Sequence, residues 1–113
     1  MNNQAIKRLA DAAQAIEAIE RFTADIALDN YLENELLQAA VERKFEILGE
    51  ALKKACEAEP SLADTIPDLR AIISMRNRII HAYDAVDQRI LWDAIHEDMT
   101  QLKRGLDALI SEA

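Results

Sequence analysis

Residues 31–57 read YLENELLQAAVERKFEILGEALKKACE. Leu37, Val41, Leu48, Leu52 and Ala55 recur at steps of three, four and seven, with the stem of Lys44 on the same line and Phe45 and Ile47 beside it. This is the period of an α-helix with one apolar face. Such a stripe has to be covered by other elements, so the neighbouring segments decide the fold class.

They carry the same period. Upstream, Ile6, Leu9, Ala13, Ile16, Ile19 and Phe22 predict a helix near 3–22, and TADIALDN (23–30) supplies weak breakers with a cap at Asp29 or Asn30. Downstream, EPSLADTIP (59–67) interrupts the pattern with Pro60 and Pro67. Pro67 suits the first turn of a third helix over roughly 67–81. The segment AYDAVD (82–87) then turns the chain, with Asp87 as an N-cap. A fourth helix carries Trp92, Ile95, Met99, Leu102, Leu106 and Leu109. No segment alternates with a period of two, so no strand is expected. Four amphipathic helices with short connections predict an all-α, up-down antiparallel four-helix bundle over a single domain, 1–113.

Composition narrows the function classes. The 113 residues carry a net charge of −8, with two Gly, two Pro, two Phe, two Tyr and one Trp. An acidic surface repels nucleic acid at long range, and few rings are available to stack bases. The charge is uneven. Between Arg70 and Arg89, four Arg face two Asp, so this stretch is locally basic inside an acidic chain. The single Cys56 excludes a disulfide framework or a paired-cysteine zinc motif and suits a reducing compartment. No signal-like or membrane-length apolar run is present. These features predict a cytoplasmic protein with no membrane association.

The basic island contains RNRIIHAY, residues 76–83. On a wheel of about 100° per residue, Leu69, Ile72, Ile73, Ile79 and Ile80 all fall within about 60° of Arg76. Arg76 thus stands at the centre of the apolar stripe. A guanidinium there needs an anionic partner, or the stripe must open onto a cleft or a subunit interface. Asn77 and His81 are i and i+4 and share one flank, and Tyr83 lies at the helix end. A fixed cation, an amide, an imidazole and a phenol in one region suit cleavage of RNA. The 2′-hydroxyl attacks the adjacent phosphorus, Arg76 stabilises the phosphoryl oxygens, His81 moves protons near neutral pH, and Asn77 orients the phosphate or the His. This chemistry needs no metal. A second proton-transfer group is missing from one chain, and a two-fold axis near the third helix supplies it by bringing two copies of Arg76 and His81 into one cleft. Spacing alone leaves a structural ion-pair network open as the alternative. Glu50, beside Gly49, either pairs with Arg76 or makes surface i,i+4 contacts with Glu46 or Lys54. Gly49 leaves room for another segment to approach.

RNRIIHAY resembles the R-x4-H-x-Y signature of the HepT-like toxins of the HEPN superfamily. VERKFEILGEA (41–51), with Gly49 and Glu50, IPDLRAIISMRN (66–77) and VDQRILWDAIHEDMTQL (86–102) are similar to the family's flanking helices. The resemblance implies a HEPN-like helical-bundle homodimer acting as a metal-independent endoribonuclease, the toxin of a type VII toxin–antitoxin system. It implies catalytic roles for Arg76, Asn77 and His81, with Glu50 and Arg78 in support, and an RNA substrate such as tRNA or mRNA. It also implies a partner, an MntA-like nucleotidyltransferase antitoxin that transfers AMP to Tyr83 and so blocks the cleft. No cofactor, metal or DNA partner is expected. The alternative is a non-catalytic subunit that binds nucleotide or docks a small nucleotidyltransferase.

Other candidates read as structural. His96 follows Asp93 by three, but a di-iron bundle needs two such motifs and further Glu ligands, so His96 is expected to face solvent or a dimer partner. Trp92 reads as core or interface packing, and Cys56 as a small buried hydrophobe.

Overall fold

The computed structural model describes residues 1–66, 69–80 and 86–113. Among these residues, six helices follow one another: α1 (Asn3–Thr23), α2 (Leu28–Leu32), α3 (Glu35–Ala58), α4 (Leu69–Ile80), α5 (Gln88–Glu97) and α6 (Met99–Glu112), with a 3₁₀ turn over Pro60–Asp64 between α3 and α4. No strand occurs among the described residues. The all-α bundle expected from the periodicity is the fold observed. Among the described residues, no helix is long and apolar enough to cross a membrane.

α3 is the central element. Val41, Phe45, Leu48, Leu52 and Ala55 are completely buried, so the stripe that defines the helix is also the middle of the core. α1 lies against it through Leu9, Ile16 and Ile19, and through Ala5, Ala12, Ala13, Ala15 and Ala18, all buried. Apart from Ala13, the alanines were not visible as a core face from the larger apolar residues. Their small side chains let the two helices approach closely. The pair is antiparallel: Asn2 caps α1 by accepting from the Ala5 amide at 2.8 Å, and its amide nitrogen donates to the Ala58 carbonyl at the far end of α3 at 2.7 Å.

Three expectations are corrected around this frame. TADIALDN is not simply a breaker, since its last residues enter α2, which is preceded by Ala27 with no side-chain cap. The long helix begins at Glu35 rather than Tyr31, and its cap is Asn34, whose Oδ1 accepts from the Leu37 amide at 3.0 Å, rather than Asp29 or Asn30. Tyr31 is withdrawn completely into the core, which anchors α2. The fourth helix is divided at Asp98 into α5 and α6. Its apolar positions continue across the break, with Ile95, Met99, Leu102 and Leu106 buried, so the period hides the interruption. Asp87 caps α5 as expected, accepting from the Arg89 and Ile90 amides at 3.0 and 3.3 Å. Pro67 lies outside the described residues.

Candidate active site

α4 and α3 meet where Arg76 crosses Gly49. A Cβ built on Gly49 would lie 2.5 Å from the Arg76 Cβ and 2.7 Å from its Cγ. The absence of a side chain at Gly49 therefore sets how closely α4 approaches, as the sequence suggested. The Arg76 side chain runs over this gap and ends at Glu50, where Nη2 donates to Oε2 at 2.6 Å. Nη1 donates to the Asn77 Oδ1 at 3.1 Å. The Arg76 side chain is 21% exposed and that of Glu50 39%. The Nε hydrogen is buried and has no partner among the described residues.

Both options open for Arg76 are realised together. It has an anionic partner, and it borders a cleft of about 410 Å³ between α1, α3 and α4. Its position on α4 needs one refinement. Leu69, Ile72 and Ile79 are buried, while Ile73 is half-buried and Ile80 is exposed. The core face of α4 is thus rotated toward Ile72 and Ile79. Arg76 sits at the border of that face, and Ile80 lines the cleft beside it. A border position lets the stem pack on apolar surface while the charged head reaches the cleft.

Asn77 is exposed and held by Arg76; Arg78 is exposed and makes no ion pair among the described residues. His81 and Tyr83 lie outside the described residues. The alternative contacts for Glu50 are not formed: Glu46 pairs with Arg43 at 3.2 Å instead. Four other cations line the cleft: the sequence reading missed Arg8 and Arg43, took Lys54 only as a surface contact of Glu50, and noticed Lys44 only for its stem. A signal for two of these four existed on α3, where Arg43, Glu50 and Lys54 fall on one side at helical spacing.

A family model described as ribonuclease HepT-like matches residues 12–109. The chain belongs to the HepT-like ribonuclease family. A protein of Thermococcus cleftensis named "Probable ribonuclease HepT" is 42% identical over 101 residues, covering 89% of this chain and 91% of that one. One of Methanocaldococcus jannaschii named "Putative RNase MJ1380" is 27% identical, covering 88% and 90%. No solved structure matches the chain.

Away from the cleft, this HepT-like chain carries a second polar group, on α2, α3 and α5. The buried Tyr31 hydroxyl donates to the Gln88 Oε1 at 2.7 Å, and the Gln88 Nε2 donates to Glu42 Oε2 at 2.9 Å. Burial, reinforced by the Glu42 charge, pushes the Tyr31 phenol well above its ordinary range, which keeps it a donor. Trp92 packs on Tyr31 with ring centroids 5.0 Å apart, and His96 stacks on Trp92 at 4.1 Å. His96 is exposed and its Nδ1 donates to the Trp92 carbonyl at 2.9 Å. Trp92 is thus a packing residue and His96 a solvent-facing one. Cys56 is half-buried rather than fully buried, and burial still pushes its thiol up. Among the described residues, no group of three or more His, Cys, Asp or Glu is arranged to hold a metal ion.

Proposed function

We propose that this protein is a metal-independent endoribonuclease of the HEPN type, acting in the cytoplasm as a homodimeric toxin that is neutralised by transfer of AMP to Tyr83. The observation that carries this reading is the Arg76 guanidinium, held half-buried at the edge of a cleft by Glu50 and Asn77. A cation fixed in this way is already oriented for a phosphoryl group, which lowers the cost of ordering it when RNA enters.

In the proposed step the 2′-oxygen of RNA attacks the adjacent phosphorus and the bond to the 5′-oxygen breaks. His81 of one copy accepts the 2′-hydroxyl proton, and His81 of the second copy protonates the departing 5′-oxygen. A 2′,3′-cyclic phosphate and a free 5′-hydroxyl result. Arg76 binds the non-bridging oxygens, whose charge grows in the transition state. Asn77 accepts from Arg76 and keeps the guanidinium plane turned toward the cleft. Glu50 holds Arg76 until phosphate displaces it, and Arg78 adds positive charge at the helix end. The dimer is supported by Ile80, inside the signature, and Ile90, beyond it, which stay 43% and 42% exposed; a second copy would cover them. An AMP on Tyr83 would bring a phosphate and a bulky base beside the signature and compete with tRNA or mRNA for Arg76. An MntA-like nucleotidyltransferase is the antitoxin partner in this scheme.

The test is cleavage of total tRNA and of an unstructured RNA by purified protein in EDTA, with intact-mass measurement of Tyr83 modification and His81→Ala as the control. Discrete products ending in cyclic phosphate, absent with the variant, are expected. Unmodified protein that leaves both RNAs intact would sink the proposal.

A further inference from the structure

The cleft beside Arg76 is basic although the chain is acidic. Among the described residues, three carboxylates face it, and each is already engaged: Glu50 by Arg76 at 2.6 Å, Glu46 by Arg43 at 3.2 Å, and Asp11 by Lys7 and Arg8 at 3.7 and 3.8 Å. Two further cations, Lys44 and Lys54, line the same cleft and have no carboxylate within 4 Å among the described residues. They are the surplus charge of the cleft.

Lys44, Glu50 and Lys54 line the same cleft at successive levels of α3. At about 1.5 Å rise and about 100° per residue, Lys44 is about 9 Å from Glu50 along the helix axis and about 120° round the helix, while Lys54 is about 6 Å along the axis in the other direction and about 40° round. Arg8 on α1 faces Lys54, and both also line an adjoining hollow of about 270 Å³. The cleft therefore continues as a groove along the seam of α1 and α3, past Lys54. Among the described residues, no aromatic lines either part.

We infer that this groove holds the backbone of a single RNA strand, with Lys44 on one side of the phosphate at Arg76 and Lys54 with Arg8 on the other. The inference rests on the ribonuclease reading for the identity of the strand. Lysines act as point charges on phosphates and carry no base information. Contacts of this kind are indifferent to sequence and strongly dependent on salt. Lys44 and Lys54 are positioning residues: they set the register of the strand on Arg76 and leave the chemistry to the signature.

The experiment measures binding of a fluorescein-labelled, fully 2′-O-methylated octanucleotide, which cannot be cleaved, by anisotropy across a salt series. The proteins are the wild type, Lys44→Gln, Lys54→Gln and the double variant. Lys53→Gln, an exposed lysine on α3 outside the groove, removes the same charge elsewhere. Each groove variant is expected to weaken binding about fivefold to tenfold at low salt and to lower the slope of log K against log salt by about 0.7, the share of one phosphate contact on a single strand. Changing the octanucleotide sequence should leave these differences intact. On cleavable RNA, KM should rise with kcat unchanged. Equal weakening by Lys53→Gln, or wild-type binding by the double variant, overturns the groove. Cleavage that persists alongside such a result leaves the ribonuclease reading standing. Lysine-dependent binding without any cleavage has the opposite meaning: the groove stands and the nuclease fails.

Discussion

The Cβ of Arg76 occupies the space that a side chain on Gly49 would need, 2.5 Å from where that side chain would begin. A glycine inside a helix costs about 1 kcal/mol relative to alanine. Here that local cost permits a contact between α3 and α4 that no other residue allows. Gly49→Ala is accordingly expected to destabilise the fold by about 1–3 kcal/mol, the usual range for overpacking, despite the better helix propensity of alanine. The neighbouring atoms are the Cβ and Cγ of Arg76, close to its backbone, and cannot swing aside. Urea unfolding measures this, and an unchanged or raised midpoint would mean that α4 shifts freely.

Glu50 competes with any phosphate for the Arg76 guanidinium. Glu50→Gln keeps the shape and removes the charge. It should tighten binding of the uncleavable octanucleotide by about threefold to tenfold, since one anion no longer has to be displaced and another repelled. Turnover at saturating RNA should change by less than about twofold, because phosphate has already displaced Glu50 from Arg76 in the bound state. Weaker octanucleotide binding by the variant would assign Glu50 a scaffolding role only.

Arg76→Lys keeps the charge but loses the planar fork that spans Glu50 and Asn77. RNA cleavage should drop by at least about a hundredfold, on the scale of a lost electrostatic donor, with the helical circular dichroism signal unchanged. His81→Ala should lose about 10²–10⁴-fold, the range of a lost proton-transfer group. Retention of more than a tenth of the activity by either variant would remove that residue from the reaction.

Tyr31 links stability to alkaline pH. Its phenol is raised in the folded protein by burial and by the Glu42 charge. Below the ordinary value near 10 the group is neutral in both states and contributes fully. As pH climbs beyond that value, the unfolded chain releases the proton while the folded chain retains it, so stability falls. Tyr31→Phe should cost about 0.5–1.5 kcal/mol at pH 7 through the lost hydrogen bond to Gln88, and the difference from wild type should shrink or reverse above pH 10. Parallel curves for the two proteins from pH 7 to 11 would contradict this account.

Cys56 is expected to react slowly with iodoacetamide in the native protein and quickly in urea. Burial raises its thiol, so at neutral pH little of the reactive thiolate is present. Equal rates in the two states, followed by mass spectrometry, would show that the site is open.

Helical period is a local property, and it made much of the molecule legible. The core face of α3, the helical class, and the cap at Asp87 all follow from residues a few positions apart. The sequence also determined that Arg76 lies among isoleucines on α4 and therefore needs an anion or a cleft, and that Gly49 leaves a gap. Local signals failed where packing overrode them. Tyr31 leaves the long helix because its ring is buried beneath Trp92 and its hydroxyl reaches Gln88, 57 residues away. The break at Asp98 is masked because the core takes apolar residues from both sides of it at unbroken spacing. The partner of Arg76 was decided only by tertiary structure. Glu50 is 26 residues distant, and its approach depends on how closely α4 settles on Gly49. The groove of Lys44, Lys54 and Arg8 arises in the same way. Charges scattered through an acidic chain become one basic channel only when α1 packs against α3, because electrostatic surplus is a property of neighbours in space and not of neighbours in sequence.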